Sequence, residues 1–105
     1  MNKNTIPTPA QIAEMYDIIN ILSDKYNNKS SRDCCYSTTL NICNDMINVG
    51  DLFVSLCVSK HFKDTETGED KCELVENIYG SSFYITADEM ISRMRESITR
   101  ADKVA

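Results

Sequence analysis

Apolar positions along this chain change their spacing more than once. From residue 9 to residue 26, Ile12, Met15, Tyr16, Ile19, Leu22 and Tyr26 recur every three or four positions, the period that sets side chains on one helix face. Thr8, Pro9 and Gln11 stand where a capping hydroxyl, a first-turn proline and a capping-box partner belong. The pattern predicts a helix over 9–26 and a loop over 27–31. A second helix is predicted over 32–48, with Ser31 as its cap and Gly50 just beyond its end. Tyr36, Leu40, Cys43, Met46 and Ile47 would form its buried stripe, although Ser37, Thr38 and Thr39 are poor helix formers.

Within 51–85 the period falls to two. Val54, Leu56, Val58 and Phe62 alternate with Ser55, Cys57, Ser59 and His61, as in a strand with one buried face. The chain turns through 64–70 and returns from Cys72 to Ile78, which reads as a β-hairpin. A register centred on Gly68 sets Phe62 opposite Leu74 and Val58 opposite Ile78. It also pairs Lys60 with Glu76 and Lys63 with Glu73. Gly80 and Ser81 suit a tight turn into a short third strand at 83–85. Leu52, Phe53, Leu56 and Lys60 also fit a helix over 51–62, which would give an all-α bundle. Val54, Val58 and the interleaved serines favour the strand.

Thr86 and Glu89 open a last helix, with Met90, Ile91, Met94 and Ile98 as its stripe. The predicted order is ααβββα. This is an α+β domain, an antiparallel hairpin or meander packed by helices on one face. Residues 8–102 form one globular domain between tails at 1–7 and 103–105, both expected to be flexible.

Charge and composition narrow the function. A net charge of −5 counts against direct nucleic-acid binding and suits a basic partner surface. No apolar run approaches the ~20 residues that span a bilayer, so no membrane role is expected. The first ten residues lack the apolar core of a secretory signal, and the five cysteines are odd in number, with Cys34 and Cys35 adjacent. Both facts favour free thiols in a reducing cytoplasm. Abundant Asn, Ile and Lys have AT-rich codons, which hints at an AT-rich genome, as in many bacteriophages, other viruses, some bacteria and some protists, and a viral origin would place the chain in a host cytoplasm.

No spacing specifies chemistry. Zinc needs repeated close pairs of ligands, and here the only histidine, His61, would have Cys57 on its face and Cys72 on the opposite one. No metal or other cofactor is expected. A catalytic cysteine beside His61 would need an orienting group, and none can be read from the chain. Asp64, Glu66, Glu69 and Asp70 resemble part of a calcium loop, but Gly68 is fifth and Val75 twelfth from Asp64, where a glycine sixth and a glutamate twelfth are required. A solvated acidic turn is the simpler reading. Three glycines leave no phosphate-binding loop, and Glu89 and Glu96 interrupt the arginines of the last helix.

The expectation is a non-enzymatic acidic protein-interaction module, a regulator or inhibitor encoded by a virus or mobile element that docks on a host protein. Its binding surface would be the open sheet face, with Phe53, His61, Val75, Tyr79 and Tyr84, joined by Glu66, Glu69 and Asp70 of the acidic turn. Homodimerisation through that face is an alternative use. The competing readings are a small-molecule-binding or thiol-dependent enzymatic domain and a self-associating structural component.

Overall fold

The computed structural model describes residues 6–104. Among them the order is α1 (Pro9–Asn27), β1 (Cys34–Asn44), β2 (Leu52–Lys63), β3 (Asp70–Ser81) and α2 (Ala87–Asp102). The strands form one antiparallel sheet in the order β1-β2-β3. This is the α+β class read from the pattern, with the helices on one sheet face.

The segment predicted as a second helix is the first strand. The run from Tyr36 to Ile42 alternates half-buried Tyr36, Thr38, Leu40 and Ile42 with exposed Ser37, Thr39 and Asn41. Its threonines, tyrosine and isoleucine favour a pleated surface, and the pairing with β2 realises that preference. Residues 83–85 are not a strand but part of the turn into α2, with the Tyr84 and Ile85 amides donating to Ser81 O at 3.0 Å. Gly80 lies inside β3 instead of in a turn. A Cβ there would stand 2.7 Å from Met90 Cε and 2.8 Å from Ile85 Cγ2, so the missing side chain lets α2 approach the sheet.

The hairpin register also differs from the expected one. Leu56 faces Ile78 and Val58 faces Glu76, then a bulge intervenes, and Lys60 faces Glu73 and Lys63 faces Asp70. Val75 is the extra residue of that bulge. The turn sets this register. Asp64 N donates to Glu69 O, and Gly68, at φ +74°, donates to Asp64 O, both at 2.8 Å. Gly68 therefore closes the turn off-centre, in the left-handed conformation that glycine adopts without strain. Opposite charges still meet, but with other partners. Glu76 leaves Lys60 for Arg100, whose Nε and Nη2 each donate to it at 2.8 Å.

The core lies between the helices and the sheet centre. Met15, Ile18, Leu22 and Tyr26 of α1 meet Val54, Leu56 and Val58 of β2 and Met90 and Met94 of α2. Thr8 caps α1 through a capping box with Gln11, and the Thr86 hydroxyl accepts from Glu89 N at 3.1 Å, both as the pattern predicts. The helices run the same way. Gln11 donates to Asp88 near their starts and Lys25 meets Asp102 near their ends. Each helix folds back on its neighbouring strand, and β1 and β3 share a direction, so the helices must share one too. The Tyr26 hydroxyl is buried without a hydrogen-bond partner among the described residues. Burial, and then the charge of Glu76, push its ionisation above the usual tyrosine range.

The sheet outruns the helices. A strand of twelve residues spans about 40 Å, whereas the sixteen residues of α2 span about 24 Å. The molecule measures 55 × 25 × 18 Å, and its radius of gyration is 15.8 Å, against about 13 Å for a compact chain of this size. The hairpin beyond the bulge therefore projects as an arm. At the C-terminus Val104 O accepts from Lys29 Nζ at 2.8 Å. Of the two expected flexible tails, residues 1–5 and Ala105 lie outside the described residues.

Candidate functional site

The residues expected to form one binding face divide between the two ends of the sheet. At the packed end, Phe53, Tyr79 and Tyr84 come together around a hollow of about 550 Å³, with Ile47, Ile85 and Arg93 also lining it. The Phe53 and Tyr79 rings lie 6.2 Å apart, and the Phe83 and Tyr84 rings meet edge to face at 4.9 Å. Tyr79 is 59% exposed and Tyr84 74%.

The β1–β2 loop supplies what the sequence reading missed. Met46, Ile47 and Val49 are 92%, 87% and 87% exposed, although the pattern assigned Met46 and Ile47 to a buried helix stripe. The signal was present in the brackets around them. Asn44-Asp45 and Gly50-Asp51 are turn pairs, and apolar residues between such pairs sit on a loop tip.

This loop is tied from below by two aspartates. Asp45 Oδ1 accepts from Ile47 N at 2.9 Å and Asn48 N at 3.1 Å, and Oδ2 accepts from Asn48 Nδ2 and the Ser81 hydroxyl. The Ser81 bond first, and then the bonds from Asn48 and Ile47, hold the Asp45 carboxyl well below the usual carboxylate range. Asp51 is buried and accepts from the Ser82 hydroxyl at 2.7 Å, while Leu52 N donates back to Ser82 Oγ at 3.0 Å. The two hydroxyls thus fasten the loop base to the end of β3, leaving its apolar tip outward.

At the arm, His61 lies on the uncovered face, with Cys35 across from it on β1 and Cys72 across on β3. The bulge turns Cys72 to this face, which corrects the expectation that it lies on the other side. Ser37 Oγ and His61 Nε2 are 3.0 Å apart. Cys57 shares the face but sits four residues along, with its thiol 3.5 Å from Asn77 Oδ1. Cys35, His61 and Cys72 border a shallow hollow of about 420 Å³ with Arg32, Asp33, Lys63 and Lys71 on its rim. All five thiols are free, and no three potential metal ligands converge among the described residues.

Glu66 and Glu69 project from the arm's turn and Asp70 from the first position of β3, whereas Val75, expected on the open face, is the bulge residue and packs half-buried against the core. The acidic turn is organised by its own side chains. Asp64 Oδ1 accepts from Glu66 N at 2.8 Å, Asp64 Oδ2 pairs with Lys71 Nζ at 2.9 Å, and Thr67 Oγ1 accepts from Glu69 N. Lys71, and then the Glu66 amide, hold the Asp64 carboxyl below its ordinary value. No helix among the described residues is long and apolar enough to cross a membrane. Comparison with protein-family models, curated proteins and solved structures finds no significant match.

Proposed function

We propose that this chain is a non-enzymatic protein-interaction module that docks a partner through the apolar end of its sheet. The observation that carries this reading is the tip of the β1–β2 loop, where Met46, Ile47 and Val49 stand in solvent and Ile47 lines one hollow with Tyr79 and Tyr84. Single exposed apolar residues are ordinary, but a contiguous cluster marks a surface meant to be covered. The loop is held at its base by Asp45 and Asp51, so the tip is ordered before it meets anything, which lowers the entropic cost of association. The hollow beside it has room for a large apolar anchor, and Glu89 and Arg93 give it a charged border. The partner is a protein with an exposed apolar or aromatic anchor. A regulator or inhibitor role is consistent with the small size and acidic charge.

Capture from the native cytoplasm with three forms of the protein tests this. The wild type and the arm variant H61A should retain one stoichiometric partner, and I47D/Y84A should lose it while keeping the wild-type circular dichroism. A partner retained by I47D/Y84A and lost by H61A would move the site to the arm and overturn the assignment. A second reading is ligand binding in the same hollow, favoured by its volume, which lies within the range of small-molecule pockets. Native mass spectrometry showing a small bound molecule in place of a protein would favour that reading.

A further inference from the structure

The two edges of the sheet are built differently. The edge of β3 carries Asp70, Lys71, Glu73 and Glu76, is broken by the bulge at Val75, and ends where Ser81 O accepts from Tyr84 N and Ile85 N. Charge, a bulge and a covering turn are the devices that keep an edge from pairing. β1 has neither charge nor bulge, and only its first positions are covered. From Cys34 to Asn44 it holds no charged residue, no proline and no bulge, and no strand lies beyond it among the described residues.

Which backbone groups face outward can be read from three bonds. Asp45 N donates to Asp51 O in register with β1 and β2, so odd-numbered residues of β1 point into the sheet. Cys34 O accepts from Ser31 N, and Tyr36 N donates to Ser30 Oγ, so even-numbered residues point outward. The 30–31 loop thus closes the first positions of the edge. The open window runs from Tyr36 O through Thr38, Leu40 and Ile42 to Asn44, and its centre is Leu40.

We infer that this edge pairs with β1 of a second copy of the chain, antiparallel about a two-fold axis at Leu40. That register satisfies the outward amides and carbonyls of Thr38, Leu40 and Ile42, and lets Asn44 N reach the partner's Tyr36 O. It sets Thr39 across from the partner's Asn41 on the uncovered face. A two-fold one residue earlier, at Thr39, would bring Asp33 against the partner's Asp45 and would need the Tyr36 amide that Ser30 already holds.

The side chains along the edge support a second copy as the occupant. Tyr36, Leu40 and Ile42 are only half-buried, whereas Val54, Leu56 and Val58, their neighbours on β2, are closed off from solvent. On α1, Gln11, Glu14 and Lys25 bond to α2, so the opposite flank looks out over the β1 edge. That flank carries Tyr16, 50% exposed. A two-fold perpendicular to the sheet keeps both pairs of helices on one face and brings the two α1 flanks together over the new strand pair. An uncharged strand is also the segment along which two copies of net charge −5 approach with least repulsion.

The test is sedimentation equilibrium on the full chain across a concentration series. Wild type should show a reversible monomer–dimer equilibrium. T39K/N41K places like charges directly opposite at exposed positions and should weaken the dimer about tenfold or more. T39K/N41E places opposite charges across the same pair and should restore it, because Thr39 meets Asn41 of the other copy only in the Leu40 register. Circular dichroism of each variant should match wild type. A wild type that stays monomeric at near-millimolar concentration overturns the inference, as does a dimer indifferent to T39K/N41K. A dimer lost in both variants would overturn the Leu40 register. Because Ile47 and Tyr84 lie outside the Tyr36–Asn44 window, loss of a foreign partner by I47D/Y84A with the dimer intact would separate this inference from the proposed function.

Discussion

β2 passes through two environments without changing its sequence pattern. Val54, Leu56 and Val58 lie under both helices and are sealed from solvent. Lys60 and Phe62 continue the same alternation on the same face, yet both are partly exposed, because the helices end before them. Across the bulge on β3, Leu74 turns with Cys72 to the uncovered face, where no helix can bury it, and is 56% exposed. Alternation decides which way a side chain points, and the helices above decide whether pointing that way buries it. The packed half is held by apolar contacts. The arm is held by the ladder, the organised turn, and ion pairs such as Lys71 with Asp64, which are worth only about 0–1 kcal/mol each at an exposed site.

Deleting a leucine side chain from each half breaks this comparison most directly. Leu56→Ala removes a fully buried side chain at the sheet centre and should cost about 2–5 kcal/mol. Leu74→Ala removes a half-exposed one and should stay within about 0.5 kcal/mol. Urea unfolding of both variants measures the difference. Equal costs would mean that Leu74 is packed as tightly as the sheet centre.

The glycines give a second, smaller contrast. Gly80→Ala forces a methyl group against Met90 and Ile85, and overpacking of this kind costs about 1–3 kcal/mol. Gly68→Ala meets no neighbouring atom, and its cost is the left-handed backbone, about 1 kcal/mol. A more compliant probe sharpens the reading. Combining Gly80→Ala with Met90→Leu changes the side chain that crowds the new methyl and should recover part of the loss. No comparable partner exists for Gly68, so no second-site change near it should do the same.

These halves also explain what could be read from the chain. α1, α2, β2 and most of β3 were legible because each is long, strongly periodic and bracketed by caps or turns, as Thr8 with Gln11 and Thr86 with Glu89 show. β1 was not, because Tyr36, Leu40, Cys43 and Ile47 are spaced for a helix as well as lying on or next to a pleated strand. The run Ser37-Thr38-Thr39 carries the deciding preference, because threonine favours a pleated strand and is a poor helix former. The hairpin register failed for a different reason. Complementary charges recur along both strands, so several registers pair lysine with glutamate, and only the Asp64–Gly68 turn and the bulge at Val75 select one. Of the expected site, Phe53, Tyr79 and Tyr84 do share a surface, but His61 and the acidic turn lie on the arm, because a strand of twelve residues is too long to keep its two ends in one patch.

The smallest effects separate the two ends by pH and salt. Asp45 at the packed end and Asp64 at the arm both have their ionisation lowered in the folded chain. A lowered carboxyl stabilises the fold fully above its unfolded value, near 3.9, and that contribution fades as pH falls toward the folded value. Both Asp45→Asn and Asp64→Asn should therefore be less stable than wild type at pH 7, with each difference shrinking as the solution is acidified below about pH 4. Salt tells them apart. Asp45 is held by a hydroxyl and amides, which carry no net charge, so added salt should leave its NMR titration nearly in place. Asp64 is held first by the Lys71 ammonium, which is half-exposed, so salt should screen the pair and raise its titration toward the ordinary value. An Asp64 carboxyl indifferent to salt would show that the turn amides, not the ion pair, organise the arm's tip.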